Sequence, residues 1–432
     1  MLTQKEIINY HLSETKDNIR GFEFEIFCLD DRYQRLFFNK DKTTKLQDIF
    51  NYLINKKGFK LLGAGKTIGV ERDSAKFTLE PGSQLEYSAK RNQGTNALVE
   101  EFLELLGIYK IFGEKLDLRL TDISLFPLND VKDIPLLPAA RYEIMDKYFQ
   151  DTGTLGRAMM RNTASLQLTF SYKDREDLEK KVNRLLFLKP VLLILSSNSR
   201  IYEGKDSKYH SFREVVWKNT DPKRCGDPGE NFWTGGKWTI ENYIEKVLDA
   251  PVIFDTAKKQ YQTAPTQPLR NLMSSIDLES YIFHNSTIFT DIRIKNYIEM
   301  RYLDNPTILL VPGIMLFIES ILSNDNIWRL FNKSLPYTFE EVPIMTQKLN
   351  AINKESLELW NKSIKPVLVE VIDNLKLNCP KESCSYLDAL IEKINSVGDP
   401  INLEVNSQDV LGRSANQFNN NLAKVLAYNK II

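Results

Sequence analysis

The chain has 432 residues, with 57 basic residues against 57 acidic ones, 42% apolar residues and 26% charged ones. Zero net charge gives no electrostatic basis for gripping nucleic acid or an anionic membrane, and the apolar share is that of an ordinary water-soluble globular protein. Four cysteines and three histidines are too few for a disulfide framework and supply no complete zinc site.

The opening residues are polar and lack the apolar core of a signal peptide. The most apolar runs, 191–195 and 308–321, are too short to span a bilayer, so a cytoplasmic protein is expected. Cys379 and Cys384 then read as thiols of a reducing compartment, with a local disulfide as the alternative.

Residues 5–16 read as a short helix. Gly21-Phe22-Glu23-Phe24-Glu25-Ile26-Phe27 follows as a strand with Phe22, Phe24 and Ile26 on one face and Glu23 and Glu25 on the other. A helix is expected over 45–56, where Leu46, Ile49, Phe50 and Leu53 recur at helical spacing. Leu62-Gly63-Ala64-Gly65-Lys66-Thr67 falls short of a phosphate-binding loop, because Lys60 stands where the motif needs glycine. Residues 66–79 read instead as a hairpin.

Glu80-Pro81-Gly82-Ser83-Gln84-Leu85-Glu86-Tyr87-Ser88 is an extended segment broken by a Pro-Gly turn and resumed as a strand. Two close carboxylates are costly there, so a positive partner is required. A helix is expected over 95–113, and another from 141 to 149. The cleanest alternation runs through Thr163, Ser165, Gln167, Thr169 and Ser171, backed by Leu166, Leu168 and Phe170. Asp174 then caps a helix over 175–195.

The long polar and aromatic stretch 197–238 reads as a functional loop, and 239–249 as a helix. Residues 291–301 alternate as one more strand, with Arg293, Lys295, Tyr297, Glu299 and Arg301 on one face. Beyond about residue 305 the pattern is helical, at 307–323, 340–376 and 385–397. With no repeat and no linker, residues 1–432 are expected to form a single catalytic domain with a helical C-terminal part.

Together these strands offer a polar face with Glu23, Glu25, Glu80, Glu86 and Glu299 beside Arg293, Lys295 and Arg301. An oxygen-only donor set favours magnesium or manganese. Carboxylate-held magnesium beside arginines and a lysine suits ATP phosphates.

At this point the residues resemble a family. Glu80 to Ser88 resembles the Glu-Pro-Gly-Gly-Gln-x-Glu-x-Ser motif of plant-type and actinobacterial glutamate–cysteine ligases. Gly21-Phe22-Glu23-Phe24-Glu25 is similar to its Gly-x-Glu-x-Glu strand. Met159-Met160-Arg161-Asn162-Thr163-Ala164-Ser165-Leu166-Gln167, Trp217 to Arg224 and His284 to Asp304 resemble further segments of that family, in the same order. The match departs at Ser83, where the family has glycine, at Asn162, and at Tyr302-Leu303, which replace Gly-Ala.

The resemblance implies an α+β fold like the glutamine synthetase and guanidino kinase catalytic domains, a curved, mainly antiparallel sheet with surrounding helices. It also implies that ATP phosphorylates the γ-carboxylate of glutamate and that the amine of cysteine, or another amine, displaces phosphate. Glu23, Glu25, Glu80, Glu86 and Glu299 would hold metal and ATP. Arg301 and Arg161 would act on the reacting groups, and Gln84, Gln167, Arg213, Trp217, Arg224, Arg293 and Lys295 would contact substrates. The alternatives are a different amine acceptor or a guanidino-type phosphotransferase. Small molecules, with no nucleic acid or membrane, are the expected partners of a monomer or homodimer.

Overall fold

A computed structural model describes the chain apart from residues 1, 14–18, 40–43, 63–67, 129, 229, 234–235, 378, 398–406 and 429–432. Its centre is a ten-stranded sheet. The strands are β1 Ile19–Leu29, β2 Lys60–Leu61, β3 Gly69–Arg72, β4 Ala75–Leu79, β5 Leu85–Ser88, β6 Asn92–Gln93, β7 Arg119–Thr121, β8 Leu166–Phe170, β9 Ile292–Ile294 and β10 Ile298–Met300. Their order is β9-β10-β8-β1-β5-β4-β3-β2, with β6 and β7 also pairing with β1, and every pairing is antiparallel.

The sheet has one apolar face because its strands alternate. Phe22, Phe24 and Ile26 of β1 are buried against the helix Thr95–Leu116. The Phe102 ring of that helix stands 5.7 Å from Phe22 and 5.3 Å from Phe24, in edge-to-face geometry. Aromatic contacts of this kind add to an area term of about 2–3 kcal/mol per buried ring. One apolar cluster runs from Leu2 to Leu426 and draws in the C-terminal helices Val311–Ser323, Lys365–Lys376 and Lys381–Ser396.

Four expectations change. The predicted strand 291–301 is a hairpin, β9–β10, with Arg293 directly across from Glu299. The helix 175–195 is two helices, Arg175–Phe187 and Lys189–Ser196, divided at Leu188 just before Pro190, a residue suited to a first helical turn. The stretch 340–376 is divided likewise, with Asn353 capping the piece Lys354–Leu359. The loop 197–238 contains the helix Phe212–Lys218, started by Ser211 accepting from Glu214 N–H. The near-match to a phosphate loop at 63–67 lies outside the described residues.

Candidate active site

The polar face is assembled by strand register. Glu25 of β1 sits across from Glu86 of β5, and Glu23 lies across from Ser88 on one side and Gln167 on the other. Glu86 in turn faces Thr78. Its Oε1 accepts from Thr78 Oγ1 at 3.1 Å and Ser88 Oγ at 3.0 Å.

Glu80 joins from the turn before β5. Ser83 N–H donates to Glu80 O at 2.7 Å, and Glu80 N–H donates to Gln84 O at 2.9 Å. Pro81 suits the second position of such a turn. Ser83 then takes a left-handed φ of 68°, a conformation that glycine would adopt without strain. Its hydroxyl offsets part of that strain by accepting from Phe38 N–H at 3.1 Å. Gly82 admits no side chain, since a Cβ there would lie 2.0 Å from Arg161 O. Arg35 ties the two segments together, donating to Gly82 O, Arg161 O and Asn162 Oδ1.

These carboxylates repel one another. Burial, then the Glu86 charge, pushes Glu25 up to about 8. Burial and Glu25 raise Glu80 to about 7. Glu86 is driven well above the carboxylate range by burial and by Glu23 and Glu80. A cluster with this property calls for positive charge. Among the described residues, however, no three acidic, histidine or cysteine side chains gather closely enough to hold one metal ion.

The cations come from the hairpin. Arg293 and Lys295 both pair with Glu299, and Arg301 reaches its Oε2 at 3.8 Å. Burial alone would raise Glu299, but Arg293, Lys295 and Arg301 together hold its carboxyl well below the usual range. Arg301 Nη1 donates to Gln167 Oε1 at 2.5 Å, and its buried Nε has no hydrogen-bond partner. Arg301 therefore faces the carboxylates with a donor to spare.

Several predicted residues are already engaged by the protein itself. Arg161 donates to Asp146 and to Ile134 O, so its guanidinium braces the helix Ala140–Thr152 and the preceding loop. Arg224 is fully buried and occupied by Asp221, Thr287, Tyr148 and Pro251 O. Gln84 locks the turn, its Oε1 accepting from Gly82 N–H and its Nε2 donating to Thr163 O. Arg293 donates to Ser286 O and Ile288 O besides Glu299. Arg213 holds the backbone beside the site, donating to Leu303 O and Arg301 O, with Trp217 stacked near its guanidinium. Tyr302 and Leu303 point into the core, where the Tyr302 hydroxyl donates to Leu185 O.

Arg141 escapes sequence reasoning. It sits on a helix, outside the strand parity that exposes the rest, yet its charge partly offsets the elevation of Glu80, and its Nε is buried without a partner. A cavity of about 470 Å³ opens beside Glu23, lined by Gly21, Lys76, Ser88, Arg91 and Tyr297.

An antiparallel sheet with helices against its apolar face and carboxylates and arginines on the other defines an α+β protein equipped for phosphate chemistry. A family model described as Glutamate-cysteine ligase family 2 (GCS2) matches residues 19–360, and the chain belongs to that family. It is 27% identical over 413 residues to the chloroplastic glutamate–cysteine ligase of Medicago truncatula, covering 91% of this chain and 80% of that protein. Against the chloroplastic glutamate–cysteine ligase A of Oryza sativa subsp. japonica it is 27% identical over 362 residues, with coverage of 81% and 72%. The fold is that of a Francisella tularensis glutamate–cysteine ligase solved in complex with AMP, at a TM-score of 0.53 and 13% identity over 96% of this chain and 93% of that one. Among the described residues no helix is long and apolar enough to cross a membrane.

Proposed function

We propose that the chain is an ATP-dependent ligase that joins the γ-carboxyl of glutamate to the amine of cysteine through a γ-glutamyl phosphate. The observation that carries this reading is the facing of Glu23, Glu25 and Glu80 by Arg301, whose Nε is unpaired, on the sheet of a family named for that reaction.

The donor chemistry fits magnesium or manganese: all oxygen, with the histidines His11, His210 and His284 outside the quartet. Glu23, Glu25, Glu80 and Glu86 would hold it, with Glu299 as the fifth carboxylate and Arg293 and Lys295 beside it to offset its charge. Gripping one ion requires the carboxylates to draw together. Such an ion would neutralise the phosphate oxygens of ATP.

The protein's own groups do the rest of the work. The cavity beside Glu23 would receive the base and ribose, with Lys76 and Arg91 on its wall to meet the phosphates. Arg301, aimed by Gln167, meets the transferring phosphoryl group and stabilises its charge. Arg141 supplies a cation at the Glu80 end for a substrate carboxylate. Cysteine as acceptor is supported by the departures from the family motif: Ser83 bonds to Phe38 and Tyr302 to the core, so neither reshapes the cleft. The four cysteines are free thiols, which suits a cytoplasmic, reducing compartment. We further propose that residues 1–432 act as one catalytic unit.

Purified protein incubated with ATP, magnesium, glutamate and cysteine should release ADP and form γ-glutamylcysteine. ADP release with no amide from cysteine or any of a panel of amines would sink the ligase reading. Amide formed with another amine but never with cysteine would reassign the acceptor.

A further inference from the structure

The helix Gln4–Ser13 precedes residue 19, where the family match begins. It buries Ile7 and His11 completely, and His11, the polar one of the two, reaches the back of the β9–β10 hairpin. His11 Nδ1 lies 2.9 Å from Lys295 O, and Nε2 lies 2.9 Å from the Tyr281 hydroxyl. A carbonyl can only accept, so Nδ1 carries the proton and Nε2 accepts from Tyr281. The partners thus fix the tautomer.

The hairpin needs such support. Its strands are three residues each, too short to fix a loop by pairing alone. The loop's carbonyls are held from behind. Asn285 Nδ2 donates to Ile294 O at 2.8 Å, and the Tyr243 hydroxyl donates to Asn285 Oδ1 at 2.7 Å. Tyr172 donates to His11 O, which locks the helix end in place. Lys295 N–H closes the loop on Tyr297 O at 2.9 Å. With its carbonyl turned back to His11, the Lys295 side chain runs to Glu299, beside Arg301.

We propose that His11 is a positioning residue: by fixing the Lys295 peptide it sets the Lys295 ammonium against Glu299 on the phosphate-handling face. The proposal rests on the ligase reading, in which Arg301 meets the transferring phosphoryl group of ATP and Lys295 holds Glu299 beside it. It gives the N-terminal helix, outside the family match, a part in binding the nucleotide.

The test compares two substitutions in the full chain. His11→Asn places an N–H donor near the Nδ1 position, whereas His11→Gln reaches towards the Nε2 position and leaves Lys295 O only the Tyr172 hydroxyl, at 3.5 Å. ATP affinity by calorimetry and KM values for ATP, glutamate and cysteine are measured for both. His11→Gln should weaken ATP binding about tenfold and leave both amino-acid KM values within about twofold, while His11→Asn stays near the parent. In a Lys295→Ala background His11→Gln should add no further loss, because both act through one contact. Should His11→Gln not fold, Tyr281→Phe, which frees the tautomer, should weaken ATP binding severalfold.

Equal ATP affinity in parent, His11→Gln and Tyr281→Phe would overturn the proposal, as would a His11→Gln loss that persists undiminished without Lys295. Failure of the parent to bind ATP at all would instead overturn the ligase reading on which the proposal rests.

Discussion

Glu25→Gln should make the protein more stable at alkaline pH and inactive at every pH. The carboxyl is buried and pushed up to about 8, against an ordinary value of 4.5. A raised folded value means that the folded state binds the proton more tightly. Stability is therefore greatest below 4.5 and falls as pH rises towards 8. At about 1.4 kcal/mol per unit, the full window corresponds to a loss of roughly 5 kcal/mol. Glutamine cannot ionise, and its Oε1 can still accept from Ser165 and Gln167, which approach Glu25 at 3.4 Å.

Urea melts of parent and variant at pH 6 and pH 9, with a chelator to exclude divalent ions, provide the assay. The stability gap in favour of the variant should widen by about 3 kcal/mol between the two pH values. Titrations that do not feel Glu25 cancel in that difference, and relief of the Glu80 repulsion adds to the gap in the same direction. A gap that stays constant, or a variant less stable at pH 9, would show that Glu25 is not held in a repulsive cluster.

Gly82→Ala should destabilise by about 3 kcal/mol or more, read as a lowered urea midpoint, because the new methyl meets Arg161 O at 2.0 Å. Ser83→Gly should be close to neutral in the same melts, trading relief of the left-handed φ against the bond to Phe38 N–H. Ser83→Ala keeps the strain and loses the bond, and should cost about 1 kcal/mol. Arg301→Lys should lower kcat about a hundredfold or more with the melting temperature little changed, since lysine cannot span Gln167 and a phosphoryl oxygen together. Full activity in that variant would remove Arg301 from the chemistry.

The carboxylate face was legible because strand parity is a local property. Glu23, Glu25 and Glu86 stand where the alternation of β1 and β5 puts them. Parity also survived an error. Reading 291–301 as one strand kept Arg293 and Glu299 on a common face, because the three-residue loop of the hairpin restores the alternation on its return. What parity cannot report is whether a cation is already engaged. Arg161 and Arg224 were placed by motif, and only the fold reveals Asp146 and Asp221 waiting for them. Arg141 had neither strand nor partner in sequence to mark it. The helix Ser407–Tyr428 also escaped, as did the buried pairing of Lys189 with Glu214 and Asp291, which joins three segments far apart in the chain.

The register of β1 against β5 has a consequence for how the chain finds its fold. Side chains alternate, so sliding β5 by one residue would turn Glu86 and Ser88 into the apolar layer and bring Leu85 and Tyr87 out over Glu25. The mispaired strand would bury an unpartnered charge against Phe102 and Tyr109. The glutamates that strain the finished sheet thus also penalise the one-residue slip and specify a single register.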